Sequence, residues 1–162
     1  MTIAIYPGAF DPITNGHLDI ATRASKLFEK VVIGVYDTPA DKNMMFTTED
    51  RVNLVRQSVA GLSNVEVRAF SSLVVDFAKR VGADTIVRGL RLITDFEREF
   101  EMALMNKKLY PDCEVVCLMA NQKYQFLSSS LLKEVASLGG DINDLVPKAV
   151  ALALKEKIGA RI

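Results

Sequence analysis

Net charge, histidine and cysteine are all scarce in this chain. Among 162 residues, 20 Lys and Arg balance 20 Asp and Glu, which leaves no global field to attract a nucleic acid or an anionic membrane surface. A generic nucleic-acid binder is therefore excluded. One histidine, His17, and two cysteines, Cys113 and Cys117, are too few for the usual four-ligand zinc site or for a disulfide framework. The two cysteines stand four apart in an apolar, β-like stretch, where extended geometry separates their Cα atoms by about 13 Å. They are predicted to be buried free thiols. No apolar run reaches the ~18–20 residues of a membrane span, and Met1-Thr2-Ile3-Ala4-Ile5 lacks a basic region ahead of a long apolar one, so a cytosolic protein with no membrane partner is expected. Chemistry that needs an imidazole must use His17.

What is present is ample apolar material: 49% hydrophobic residues and a mean hydropathy of +0.17. With domains commonly running ~100–200 residues, one domain over residues 1–162 is expected. Compact runs rich in Val, Ile, Phe and Tyr predict strands at Thr2–Tyr6, Val31–Tyr36, Val65–Phe70, Thr85–Arg88 and Glu114–Met119. Their continuous apolarity suggests burial on both faces, as in a parallel sheet. Helical periodicity predicts helices near His17–Phe28, Glu49–Val59, Leu73–Val81, Asp95–Tyr110, Ser129–Leu138 and Pro147–Ile158. Thr47 followed by Asp50 resembles a capping box for the second. No repeat, low-complexity tract or linker interrupts the β-α alternation. The fold class is α/β: a doubly wound parallel five-stranded sheet with helices on both faces and C-terminal helices. In such sheets ligands bind beyond the carboxyl ends of the strands, which directs attention to the loops after Tyr6, Tyr36, Phe70, Arg88 and Met119.

Those loops carry distinctive residues. The first, Tyr6-Pro7-Gly8-Ala9-Phe10-Asp11-Pro12-Ile13-Thr14-Asn15-Gly16-His17, alternates stiff and permissive backbone and leads into a helix, a context in which free N–H groups favour an anion. It is neither a P-loop nor a dinucleotide fingerprint. By itself it reads equally as a βα turn or as a phosphate cradle. Arg88 and Arg91 flank Gly89-Leu90 at a strand end, where two guanidinium forks make poor core residues and good phosphate ligands. Asp95 and Glu99 lie one helical turn apart, placed to complement the helix dipole, to orient Arg91 or to hold a hydrated cation. Ser128-Ser129-Ser130 begin a helix, adding hydroxyls to its free N–H groups.

Taken together, Gly8-Ala9-Phe10-Asp11-Pro12-Ile13-Thr14-Asn15-Gly16-His17, Val87-Arg88-Gly89-Leu90-Arg91, Asp95-Phe96-Glu97-Arg98-Glu99 and Phe126-Leu127-Ser128-Ser129-Ser130 resemble the motifs of the bacterial phosphopantetheine adenylyltransferases. Thr14-Asn15-Gly16-His17 is similar to the (T/H)-x-G-H signature of their nucleotidyltransferase superfamily, whose fold is Rossmann-like. The resemblance spans about Ile3 to the last helix. It implies adenylyl transfer from ATP to 4′-phosphopantetheine with Mg²⁺, giving dephospho-coenzyme A and pyrophosphate in coenzyme A biosynthesis.

By resemblance, His17, Lys42 and Arg91 are catalytic. The nucleotide is held by Ala9, Phe10, His17, Gly89, Leu90, Arg91, Glu99, Tyr124, Gln125, Phe126, Leu127, Ser128, Ser129 and Ser130, and the acceptor by Ala9, Lys42, Leu73, Val74 and Arg88. No protein ligand for a metal is assigned. The chain departs from the family pattern at Ala9, where Thr or Ser is common, so a contact there must be main-chain. Asn43 replaces one of a usual lysine pair, leaving Lys42 as the cation of its loop. Tyr124 replaces a common Trp and presents a smaller aromatic face. Leu73 and Val74 read equally as core helix residues or as a wall for the pantetheine arm. A homohexamer, cytoplasmic location and feedback binding of coenzyme A are further implications of the resemblance. The competing readings are adenylyl or cytidylyl transfer to another small phosphate, such as nicotinate mononucleotide, and a catalytically silent nucleotide-binding scaffold.

Overall fold

The computed structural model describes residues 2–37 and 44–159. Strands β1 (Ile3–Gly8), β2 (Lys30–Tyr36), β3 (Val65–Phe70), β4 (Thr85–Leu90) and β5 (Glu114–Met119) alternate with helices α1 (Asn15–Leu27), α2 (Thr48–Ser58), α3 (Val74–Val81) and α4 (Ile93–Leu109), and α5 (Ser129–Ser137) and α6 (Lys148–Gly159) close the chain. All strand pairings are parallel, in the order β3-β2-β1-β4-β5. The chain thus winds outward from β1 in one direction, then returns to its other side with β4. The reversal between β1 and β4 opens a crevice at their carboxyl ends.

Strand periodicity sends alternate side chains to two cores. Ala4, Tyr6, Val31, Ile33 and Val35 face the layer of α1, α2, α5 and α6, whereas Ile5, Val32 and Ile86 face Val75, Phe77 and Ala78 of α3. Gly34 lies on the α3 side beneath the stacked rings of Phe70 and Phe77, whose centroids are 4.5 Å apart. A Cβ there would sit 2.6 Å from the Phe77 ring, so only glycine lets α3 approach.

The double burial expected for every strand is limited to the central ones. Edge strands β3 and β5 are partly exposed, so Cys117 on β5 is exposed while Cys113, just ahead of it, is buried. Two strands run further than expected. β1 continues past Tyr6 through Gly8, pairing with Val35, and β4 continues past Arg88 through Leu90, pairing with Met119. Helix starts are set by caps: the predicted Thr47–Asp50 box is present for α2, and Thr14 caps α1, which begins two residues before His17. Helix α4 buries no residue in the described chain, and Ile93, Phe96, Phe100 and Leu104 are exposed along it. Among the described residues no helix is long and apolar enough to cross a membrane.

Candidate active site

A cleft of about 370 Å³ opens at the β1–β4 switch point. Its first wall is the β1–α1 connection. Because Thr14 is the N-cap, His17 occupies the third position of α1, and the two residues grip each other. The His17 N–H donates to Thr14 Oγ1 at 3.3 Å, and the Thr14 N–H donates to His17 Nδ1 at 3.0 Å. An Nδ1 that accepts leaves the proton on Nε2, so this network assigns a tautomer whose remaining N–H is free to donate to a ligand in the cleft. Burial, followed by the positive charges of Arg91 and Arg88, lowers the His17 pKa to about 4. At neutral pH the ring is an uncharged donor.

This shift has a direct test, because the single histidine gives one imidazole signal. Its NMR titration is expected to show a midpoint near 4 in the free protein, rising when a nucleotide anion enters. A free-protein midpoint at the ordinary 6.5 would remove the assigned environment. The depressed pKa also links folding to pH: its contribution is present above about 6.5 and is lost as pH falls toward 4, where only the unfolded chain charges the ring readily.

The second wall comes from β4 and α4. Arg88 makes a two-pronged contact with Glu99, Nε to Oε2 at 2.7 Å and Nη2 to Oε1 at 2.6 Å, and its Nη1 donates to the Pro7 carbonyl at 2.8 Å. Burial pulls the Arg88 pKa down, but the hydrogen bond and charge of Glu99 push it up further. Arg91 donates to the Leu127 carbonyl at 2.8 Å and to Asp95 Oδ2 at 3.2 Å, which also accepts the Arg91 backbone N–H. Of the roles open to the two carboxylates, the geometry selects orientation of arginines: Asp95 holds Arg91, and Glu99 holds Arg88. Among the described residues, no group of three His, Cys, Asp or Glu is arranged to hold a metal ion.

The third wall is the Tyr124–Ser129 segment. Tyr124 lies over the start of α1, where a Cβ on Gly16 would approach its Cβ to 3.3 Å, so glycine at 16 lets the two segments close. The serine hydroxyls have structural partners: Ser128 Oγ accepts the Leu131 N–H, and Ser129 Oγ donates to the Pro12 carbonyl at 2.9 Å. The helix start is thereby fastened to the β1 connection.

Ala9, Phe10, His17, Arg88, Gly89, Arg91, Glu99, Tyr124, Leu127, Ser128 and Ser129 all line this one cleft. Other expected positions do not. Leu90 points into the core at the end of β4, while Gln125, Phe126 and Ser130 are exposed beyond the rim. Leu73 and Val74 sit at the start of α3, outside the cleft lining. Lys42 lies outside the described residues.

The cleft also contains residues that the sequence reading missed. Tyr6, at the end of the predicted strand, and Pro7 and Gly8, in the two-residue extension of β1, line it. Burial raises the Tyr6 phenol pKa, keeping it uncharged. Thr14 lines it as the N-cap of α1, and Thr94 and Arg98 share with Asp95 a helical face that faces the cleft.

A profile of cytidylyltransferase-like proteins matches residues 5–135. A relative from Herpetosiphon aurantiacus named phosphopantetheine adenylyltransferase is 56% identical over 156 residues, covering 96% of this chain and 94% of the relative. One of the same name from a Roseiflexus species is 52% identical over 161 residues, covering 99% and 100%. The crystal structure of a putative nicotinate-nucleotide adenylyltransferase from Vibrio parahaemolyticus superimposes with a TM-score of 0.72 at 23% identity, covering 98% of this chain and 95% of that one, and shows the same fold.

Proposed function

Since the chain belongs to the cytidylyltransferase-like family and, within it, to the phosphopantetheine adenylyltransferases, we propose that its cleft transfers AMP from ATP to 4′-phosphopantetheine by direct displacement. The observation that carries this mechanism is the convergence of a neutral His17 donor with two pre-oriented arginines at the switch point. A phosphate oxygen of the acceptor forms a bond to the α-phosphorus as the bond to the bridging oxygen breaks, and pyrophosphate leaves with that electron pair. Two anions must meet, so positioning and electrostatic stabilisation supply most of the rate, and no covalent protein nucleophile is required.

His17 Nε2–H stabilises charge developing on the α-phosphate oxygens. Its neutrality matters, because the donor state does not depend on protonation near pH 7. Arg88, braced by Glu99, takes the acceptor phosphate, while Arg91, braced by Asp95, takes the nucleotide phosphates. Lys42, which lies outside the described residues, is assigned by resemblance to hold the incoming phosphate and the α-phosphate. Ala9 and Phe10 serve through the main chain, with Gly89, Leu90, Tyr124, Gln125, Phe126, Leu127 and the three serines forming the nucleotide side and Leu73 and Val74 the wall for the acceptor's arm.

Mg²⁺ would supply charge neutralisation on the nucleotide phosphates. The two cleft carboxylates are already committed to arginines, so the chain offers no dedicated set of protein ligands among the described residues. The ion would therefore arrive on the nucleotide. Self-association into a hexamer is supported by the exposed apolar face of α4, where Phe96 and Phe100 stack with no core beneath them. A cytoplasmic enzyme inhibited by coenzyme A completes the proposal.

Pyrophosphate release tests it. Turnover is expected with Mg·ATP and 4′-phosphopantetheine, at least 100-fold faster in kcat/KM than with nicotinate mononucleotide as acceptor or CTP as donor. Faster turnover of either alternative, or of neither pair, would displace the reading.

A further inference from the structure

The β1–α1 connection contains a strained residue between two buried charges. Phe10 has φ 49°, a left-handed conformation that a bulky L-residue rarely adopts and keeps only when its surroundings over-determine it. Its ring is buried edge-on against Tyr6 and His17, with centroids 5.5 and 5.2 Å away. On one side, the Ala9 carbonyl accepts from Arg51 Nη1 at 2.6 Å. On the other, the Asp11 carboxylate accepts the Met45 N–H at 3.0 Å, the Phe46 N–H at 2.9 Å and Lys133 Nζ at 2.7 Å. Arg51 is only 1% exposed and Asp11 4%. Arg51 also donates to the Tyr36 carbonyl at 2.9 Å and to Thr48 Oγ1 at 2.9 Å. Burial lowers the Arg51 pKa, and the carboxylates of Asp11 and Asp37 raise it again.

Burying a guanidinium and a carboxylate is costly unless their hydrogen bonds return the loss, and a strained turn adds to that cost. The geometry shows what the arrangement achieves. In a planar trans peptide the carbonyl and the N–H point in opposite directions. With the Ala9 carbonyl bonded to Arg51, the N–H of Phe10 on the same peptide is turned away from Arg51; it makes no hydrogen bond among the described residues, and Phe10 lines the cleft.

We propose that Arg51 and Asp11 are positioning residues that hold the Phe10 turn so that the Phe10 amide is presented to a phosphate oxygen of the nucleotide. The inference rests on the adenylyl-transfer reading for the identity of that nucleotide. Arg51 sets the direction of the peptide, while Asp11 ties the turn to the residues ahead of α2 and, through Lys133, to α5. Ser129, at the start of α5, grips the same connection at Pro12. Neither Arg51 nor Asp11 touches substrate.

Arg51→Met, Arg51→Lys and Asp11→Asn in the full chain test this. For Arg51→Met and Asp11→Asn, KM for Mg·ATP is expected to rise about tenfold or more, with a clearly smaller rise in KM for 4′-phosphopantetheine, which shares only the Ala9 main chain with that turn. Titration calorimetry with a non-hydrolysable ATP analogue is expected to show the same loss. Arg51→Lys, which keeps a cation able to reach one carbonyl, is expected to recover part of it. A purely structural role would lower the melting temperature and the folded fraction but leave KM for ATP unchanged in the folded protein, and that result overturns the proposal. Equal rises in both KM values would also overturn it. If Arg51→Met fails to fold, Asp11→Asn and Arg51→Lys carry the test. Calorimetry separates the two failures: lost nucleotide affinity in the variants supports this inference even if wild type rejects phosphopantetheine as acceptor.

Discussion

Replacing His17 by alanine is expected to lower kcat by about 10²–10³-fold, the usual cost of deleting one pre-organised donor to developing charge, with KM for both substrates within a few-fold of wild type. The donor is specified before substrate arrives. Thr14 fixes Nδ1 as the acceptor, burial and two arginines keep the ring neutral, and Nε2–H is left to bond the α-phosphate oxygen. The fold should survive, because the Thr14 hydroxyl caps the backbone N–H of residue 17 whatever its side chain. What is lost at the helix start is the imidazole acceptor for the Thr14 N–H, worth about 0.5–1.5 kcal/mol. Steady-state kinetics with circular dichroism on the same sample decide the matter. Turnover within threefold of wild type would show that His17 is not the transition-state donor.

Arg88→Met carries the second large effect, and its signature falls on KM rather than kcat. Removing the fork takes away the charge-assisted bonds proposed for the acceptor phosphate, and KM for 4′-phosphopantetheine is expected to rise about 100-fold, while KM for ATP changes little. The same change strands Glu99, whose side chain is only 14% exposed, beside a lost partner. A destabilisation of about 1–3 kcal/mol should follow. Adding Glu99→Gln removes the stranded charge, so the double variant should regain stability without regaining acceptor affinity. Recovery of both together would mean that Arg88 is a structural ion-pair residue and nothing more.

The pairing of Arg88 with Glu99 shows what a linear reading can and cannot reach. Two arginines at a strand end were visible as phosphate ligands, and two acids one turn apart were visible as a helical pair. Which acid serves which arginine depends on how α4 packs back across β4, a distance set by tertiary contacts. The same holds for Arg51. At the sequence level it is an ordinary charged residue in a helix, and nothing in its neighbours marks it as buried or as the ligand of a carbonyl 42 positions away. Asp11 stands in the same motif as His17, but Met45, Phe46 and Lys133 reach it only through the fold. Conversely, the predicted wall of Leu73 and Val74 lies outside the cleft lining because the sheet order leaves two strands, β2 and β1, between β3 and β4.

By itself the sequence determined the α/β alternation, the parallel sheet, the loops that bear function and His17 as the sole imidazole. Periodicity, capping residues and composition act over a few neighbours, and those constraints are written locally. Only the tertiary structure decided the neutral state of His17, the assignment of each carboxylate to its arginine and the buried charges behind Phe10. The Arg91–Asp95 pair is four residues apart and lay within reach of a local reading, but the choice of Arg88 by Glu99, the charges around His17 and the burial of Arg51 depend on packing that no local pattern encodes.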